Sequence, residues 1–287
     1  MVECNHITDL VIKNISEKTI KTRLAVFLKT TFFSIGVIFI IFIFNSINIT
    51  KKWQNNDHIA IIELNGIIDY ENSLNAKHVI IKLNNAFFNF YSKVLIIKIN
   101  SPGGSPVQAS LIYNHIKRLR KISNKPIYSV IEDIGTSGAY LIALATEKIY
   151  CNPTSLVGSI GVVVASFGYV EMLRKFGIER RVYKSSKYKV LIDPFLETIQ
   201  DEVDIIQHNI NIINKYFINI VKKNRHEKLN ENYDVFTGTF WVGRDALMVG
   251  LVDGFYDIYT LSYDVIKITN IIYYNNDLSN FFSFFKN

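Results

Sequence analysis

Ser137 opens a run of small residues, Thr136-Ser137-Gly138-Ala139-Tyr140, preceded by the glycine turn Ser101-Pro102-Gly103-Gly104 and followed by the lysine-rich stretch Tyr183-Lys184-Ser185-Ser186-Lys187-Tyr188-Lys189. A serine hydroxyl is a weak nucleophile until a base takes its proton. The histidines are His6, His58, His78, His115, His208 and His226, so none lies between Ile116 and Gln207, around the serine. A Ser-His-Asp relay would need a distant imidazole. A lysine can serve instead if burial lowers its pKa from about 10.4, because only the neutral amine accepts a proton. At pH 7 a lysine with a pKa near 8 is neutral in roughly a tenth of molecules. The residues therefore suggest acyl transfer by a serine with a lysine base.

The elements that must position these groups read as α/β. Apolar runs typical of buried strands occur at 59–64 (IAIIEL), 94–99 (VLIIKI), 127–131 (IYSVI) and 160–165 (IGVVVA). Helical spacing appears over Asn75 to Phe90, Pro106 to Lys121, Ser137 to Ala145 and Tyr169 to Phe176, each beginning near a turn residue or cap. A longer amphipathic helix is expected from about Leu196 to Asn224. The run at 94–99 feeds Gly103 and Gly104, where the backbone can bend and its amides stay approachable. Ser137 would sit in the positive end of a helix, suited either to capping or to stabilising a developing negative charge.

Four separated motifs occur in order: Asn100-Ser101-Pro102-Gly103-Gly104-Ser105; Thr136-Ser137-Gly138-Ala139-Tyr140; Pro153-Thr154-Ser155-Leu156-Val157-Gly158-Ser159-Ile160-Gly161-Val162; and Gly243-Arg244-Asp245-Ala246 with Gly250-Leu251-Val252-Asp253. In this order they resemble the signal peptide peptidase A family of membrane-anchored serine proteases, in its short form, over roughly residues 57 to 258. The resemblance implies a Clp protease/crotonase-like β-α spiral. It implies Ser137 as nucleophile, Gly104 and Gly138 as oxyanion-hole amides, and Ser159 as the serine that orients the base. Among Lys184, Lys187 and Lys189, the family's spacing to the nucleophile and to Pro194 selects Lys189. An apolar substrate slot would include Tyr140 and Val162, and neither metal nor cofactor is needed. Gly138-Ala139 replaces the double glycine often found after the family's nucleophile.

The uncharged run between Lys29 and Lys51 would span roughly 30 Å as a helix, a bilayer's hydrocarbon thickness. With Lys13, Lys18, Lys21, Arg23 and Lys29 before it, the expectation is a cytoplasmic tail (1–29), an uncleaved transmembrane signal anchor (30–50), an extracytoplasmic peptidase domain (53–265) and a C-terminal tail (266–287). The corresponding location is the bacterial inner (cell) membrane. The net charge of +7 is scattered without a basic block, which argues against nucleic acid as a partner. Cys4 and Cys151 define no disulfide framework. The resemblance further implies signal peptide remnants as substrate and a homo-oligomer, eight subunits by analogy. A stomatin-partnered membrane protease, an inactive scaffold of the same fold and a crotonase-like acyl-thioester enzyme are the rival readings.

Overall fold

The computed structural model describes residues 28–43, 56–71 and 74–275, in two compact units divided between Asn56 and Asp57. The first unit contributes helix α1 (28–43), with most of its side chains exposed. No helix among the described residues is long and apolar enough to cross a membrane. The expected span continues through 44–50, outside the described residues, as do the cytoplasmic tail up to residue 27 and the aromatic end from 276.

The second unit is a mixed α/β domain around a parallel-rich sheet. Strands β1 (His58–Asn65), β2 (Ser92–Ser101) and β3 (Ile127–Thr136) form its centre, pairing in parallel with Ile61 opposite Ile96 and Ile96 opposite Tyr128. Their largely apolar runs, broken by the Glu63–Lys98 pair, follow from burial on both faces. One face packs on α2 (Ala76–Phe87), α3 (Pro106–Ile122), α4 (Gly138–Ala143) and the C-terminal part of a long helix, α6 (Gln200–Arg225), through residues such as Ile62, Ile97, Ile112 and Val221. The other face buries Ile59, Ile61, Ile96 and Val130 against Ile258 and Leu261. The helices begin where side chains satisfy their first amides: Asn75 accepts from His78 N and Ser105 from Gln108 N, with Pro106 in the first turn of α3.

β3 changes neighbours midway. Tyr128–Ile131 pair with β4 (Lys148–Cys151), whereas Ile134–Thr136 pair with β5 (Leu156–Gly158). β5 then pairs antiparallel with β6 (Phe240–Val242). The short β7 (Gly254–Phe255) extends β4, and β8 (Ile271–Tyr273) joins β1 in parallel. The sheet thus continues into the stretch expected as a tail. The expected strand at 160–165 is not formed. Gly158 and Ser159 both have positive φ, 95° and 49°, which ends the extended run, and the residues beyond it are irregular, with Val163 84% exposed. Helix α5 (Val170–Lys175) lies in the same exposed stretch and buries no residue.

The fourth sequence motif is a structural latch. Arg225, at the end of α6, is 4% exposed. Its Nη1 lies 2.9 Å from Asp253 Oδ2, and its other nitrogens donate to the carbonyls of Gly250 (2.7 Å) and Val252 (2.9 Å). Asp253 also accepts from Lys228 (2.6 Å) and from the Ile149 amide (2.8 Å). Burial opposes ionisation of Asp253, but the Lys228 ammonium, the Arg225 guanidinium and the Ile149 amide outweigh it and hold the carboxyl below its ordinary range.

Candidate active site

The site gathers where β2 and β3 end. β2 carries a register break between Ile99 and Ser101, so that Ser101 pairs with Gly135. Beyond it the chain forms a turn in which the buried Ser101 Oγ accepts from Gly103 N at 3.1 Å. Ile68 bridges this turn from the side, donating to Gly103 O (2.9 Å) and accepting from Ser105 N (2.8 Å). Because a trans peptide points its C=O and N–H in opposite directions, the bond from Gly103 O to Ile68 turns the Gly104 N–H away from Ile68. Glycine is required at 104, where φ is 145° and a Cβ would fall 2.1 Å from Ile68 O.

Ser137 caps α4 with φ 52° and ψ −125°, a conformation that few non-glycine residues adopt, and its side chain makes no capping hydrogen bond. Such backbone strain costs about 1–3 kcal/mol and persists where the surroundings enforce it. They do so here. Ser137 N donates to Gly158 O at 2.8 Å, and Thr136 Oγ1 donates to Pro102 O at 3.1 Å, tying the end of β3 to both flanking segments. The hydroxyl is left free of a helix-capping task, on a half-buried residue. Gly138 supplies one of the first amides of α4, which have no acceptor within the helix. A Cβ on Gly138 would stand 3.5 Å from Gly104 N, so these two backbone segments face each other across the serine.

Gly103 makes this closeness possible, since a Cβ there would lie 2.8 Å from each of Ser137 Cβ, Gly138 N and Thr136 O. Gly103→Ala must shift the serine or its neighbouring amide. A misplacement of that order costs about 10²-fold in turnover. For the acyl transfer that the resemblance implies, we expect this loss in kcat with little change in KM, measured in steady-state turnover.

The other expected site residues fall out as follows. Ser159 has φ 49°, donates its amide to Thr239 O (2.9 Å) and its hydroxyl to Gly238 O (3.1 Å), and adjoins the Gly158 carbonyl that receives Ser137 N. Tyr140 does not line an open slot. It is fully buried and its hydroxyl donates to Leu251 O at 2.7 Å, because α4 packs its whole length into the core. Val162 is half-buried at the start of the irregular stretch. Lys184, Lys187 and Lys189 are all exposed. Lys187 pairs with Asp201 and lies over the Tyr188 ring. The hydrogen bonds to Asp201 and Tyr188 raise its pKa, making it a poor base. Lys189 is fixed by its backbone, whose amide donates to Ser186 O at 3.3 Å, and its own chain leaves it in solvent.

Several groups are assigned elsewhere by their contacts. His58 bonds Tyr274, His115 bonds Asn84 and His78 bonds Asn75. The buried Cys151 thiol is pushed up to about 12 by desolvation, which excludes it as a thiolate nucleophile. Among the described residues, no group of three or more His, Cys, Asp or Glu is placed to hold a metal ion. Sequence reasoning placed Gly103 and Thr136 in the site's motifs without these packing roles, and missed Ile68. Only the double glycine of the turn signalled a close approach.

The serine thus sits at a strained helix start, with two backbone segments converging on it. The profile of peptidase family S49 matches residues 119–263, which include Ser137, Ser159 and Lys189. The chain belongs to this family, and its relatives include proteins of the signal peptide peptidase A type. A Na(+)/H(+) antiporter NhaA of Brucella melitensis biotype 1 is 44% identical over 176 residues, covering 61% of this chain and 24% of that protein. The putative protease MJ0651 of Methanocaldococcus jannaschii is 32% identical over 161 residues, 56% of this chain and 51% of its own length. The putative signal peptide peptidase SppA of Enterococcus faecium is 29% identical over 161 residues, 56% of this chain and 46% of its own. The chain therefore spans from a quarter to about half the length of these relatives.

Proposed function

We propose that the chain is a serine endopeptidase in which Ser137 attacks a peptide carbonyl, Lys189 removes the hydroxyl proton, and the amides of Gly104 and Gly138 hold the oxyanion. The observation that carries this reading is the positive-φ Ser137 at the start of α4, facing the Gly103–Gly104 turn across a gap that admits no Cβ. Neutral lysine accepts the proton during attack and returns it to the leaving amine; water then hydrolyses the acyl-serine by the same route. Ser159 orients the base from the adjoining turn. The exchange of neighbours along β3 supports the Clp protease/crotonase-like spiral.

A lysine works as a base only when desolvated, and Lys189 is exposed in its own chain. The stretch that carries it also exposes Val163 (84%), Phe167 (77%), Phe176 (74%) and Tyr183 (93%), a poor arrangement for a surface facing water. Both features favour a homo-oligomer, with eight subunits the family's precedent, in which a neighbouring subunit covers this stretch. The substrates we propose are remnant signal peptides. The setting is the bacterial cell membrane, with residues 30–50 as the anchor, 1–29 cytoplasmic and the peptidase domain from 53 to at least 265 extracytoplasmic. A fluorescent serine-directed phosphonate tests the central claim. It labels the wild-type chain and leaves Ser137→Ala unlabelled; equal labelling of both, or none of the wild type, favours the inactive scaffold or another nucleophile.

A further inference from the structure

The parallel strands β1, β2, β3, β4 and β8 all begin at one end of the domain, opposite the Ser137 end. That starting end carries Phe90, 80% exposed, Phe88, 64% exposed, and Ile122, 59% exposed. The loop after α2 presents its rings outward from a braced backbone. Asn89 accepts from Tyr91 N and donates to Tyr274 Oη, both at 2.9 Å, while Lys125 Nζ donates to Asn89 O at 3.0 Å. Lys93 donates to Phe90 O at 3.3 Å and lies 4.8 Å from the Phe90 ring centre.

Charge at this end is predominantly positive. Lys93, Lys121, Lys125 and Lys148 outnumber Asp57, which pairs with Lys93 at 3.2 Å, and Glu147, which lies 3.8 Å from Arg120. Burial and the charge of Lys93 lower the pKa of Lys125, a cost that a nearby anion would relieve. The chain joins the domain on the same surface: His58 N donates to Tyr91 O at 2.9 Å, and Asn270 Nδ2 to Asp57 O at 3.3 Å. The described chain therefore enters the domain at Asp57 and His58, close to Tyr91 and its neighbour Phe90.

We propose that this end is a docking face for an anionic lipid bilayer, with Phe88, Phe90 and Ile122 entering the headgroup boundary and the lysines meeting lipid phosphates. Apolar side chains ringed by lysines are the composition that binds such interfaces. The proposal rests on the membrane-anchor reading above. It fixes what that reading leaves open, namely which end of the domain lies on the lipid.

The test uses the full chain with Cys4→Ser and a nitroxide at Phe90→Cys, reconstituted into vesicles of phosphatidylglycerol and phosphatidylcholine. Val107→Cys, at an exposed position beside the Gly103–Gly104 turn, is the reference. The expected result is several-fold greater access of oxygen relative to a water-soluble nickel chelate at 90 than at 107, diminished in phosphatidylcholine alone. Equal access at the two positions, in protein that withstands an alkaline carbonate wash, overturns the docking face while leaving the anchor standing. Spin–spin broadening at 90 that disappears on dilution with unlabelled protein assigns the face to a second copy and also overturns it. Release of the protein by carbonate overturns the anchor, and the docking face with it.

Discussion

Ser137→Ala lowers peptide-bond cleavage by about 10⁴-fold or more, with the thermal midpoint scarcely moved. The stability half of this expectation follows from the missing cap: the Ser137 hydroxyl accepts no hydrogen bond from the start of α4, so its removal costs the helix nothing there. The positive φ remains in the variant because Ser137 N still donates to Gly158 O and Thr136 still binds Pro102 O. Lys189→Ala should produce a loss of similar size, since nucleophile and base act as one unit and their effects are not additive. Lys187→Ala is the discriminating comparison. It breaks an exposed pair with Asp201 and an exposed contact with the Tyr188 ring, and should leave kcat within about twofold. Progress curves on one fluorogenic peptide measure all three. Full activity in Ser137→Ala, or a loss in Lys187→Ala that Lys189→Ala does not share, would sink the dyad.

Asp253→Ala is expected to cost about 3–5 kcal/mol of folding stability, because it leaves Arg225 buried with only neutral carbonyl partners. Against a total of about 5–15 kcal/mol this is a large fraction, and a urea midpoint would register it directly. Arg225→Met should cost less, since Asp253 keeps its bonds to Lys228 and the Ile149 amide. The pH dependence has a definite sign. The Asp253 pKa is lowered in the folded state, so its contribution is fully present above the ordinary value of 3.8 and is lost as pH falls through the lower folded value. Asp253→Asn should therefore flatten the acid limb of the stability curve. An acid limb identical to that of the wild type would mean that Asp253 is not the group responsible.

The central strands were legible because a strand buried on both faces must be largely apolar, as 94–99 is apart from Lys98, and because Asn75 and Ser105 announce the helices they cap. The same rule misled at 160–165, where an equally apolar run is irregular and, from Val163 on, exposed. Apolar composition marks a segment that needs a partner, without saying whether its own chain supplies one. β5 to β8 are two or three residues long, and their pairing is settled by tertiary contacts that no local pattern records. Ser137 and Gly138 were readable from the small-residue run, and the double glycine from its backbone freedom. The fit of Gly103 against Ser137 was not, since steric contact across 34 positions leaves no trace in spacing. Tyr140 looked like a slot residue beside the nucleophile, yet a six-residue helix whose every side chain is buried turns it toward Leu251.

The direction of β2 sets a reach requirement. The strand starts at Ser92, two residues beyond Phe90, and ends at Ser101, where the Gly103–Gly104 turn begins. Its ten residues rise about 33 Å. With the Phe90 end on a bilayer, Ser137 stands about that far above the lipid. A peptide tethered at one end must then extend roughly ten residues clear of the headgroups before its carbonyl meets the serine. The strand would act as a gauge, sparing loops that hug the membrane and admitting chains that have lost one of their two attachments.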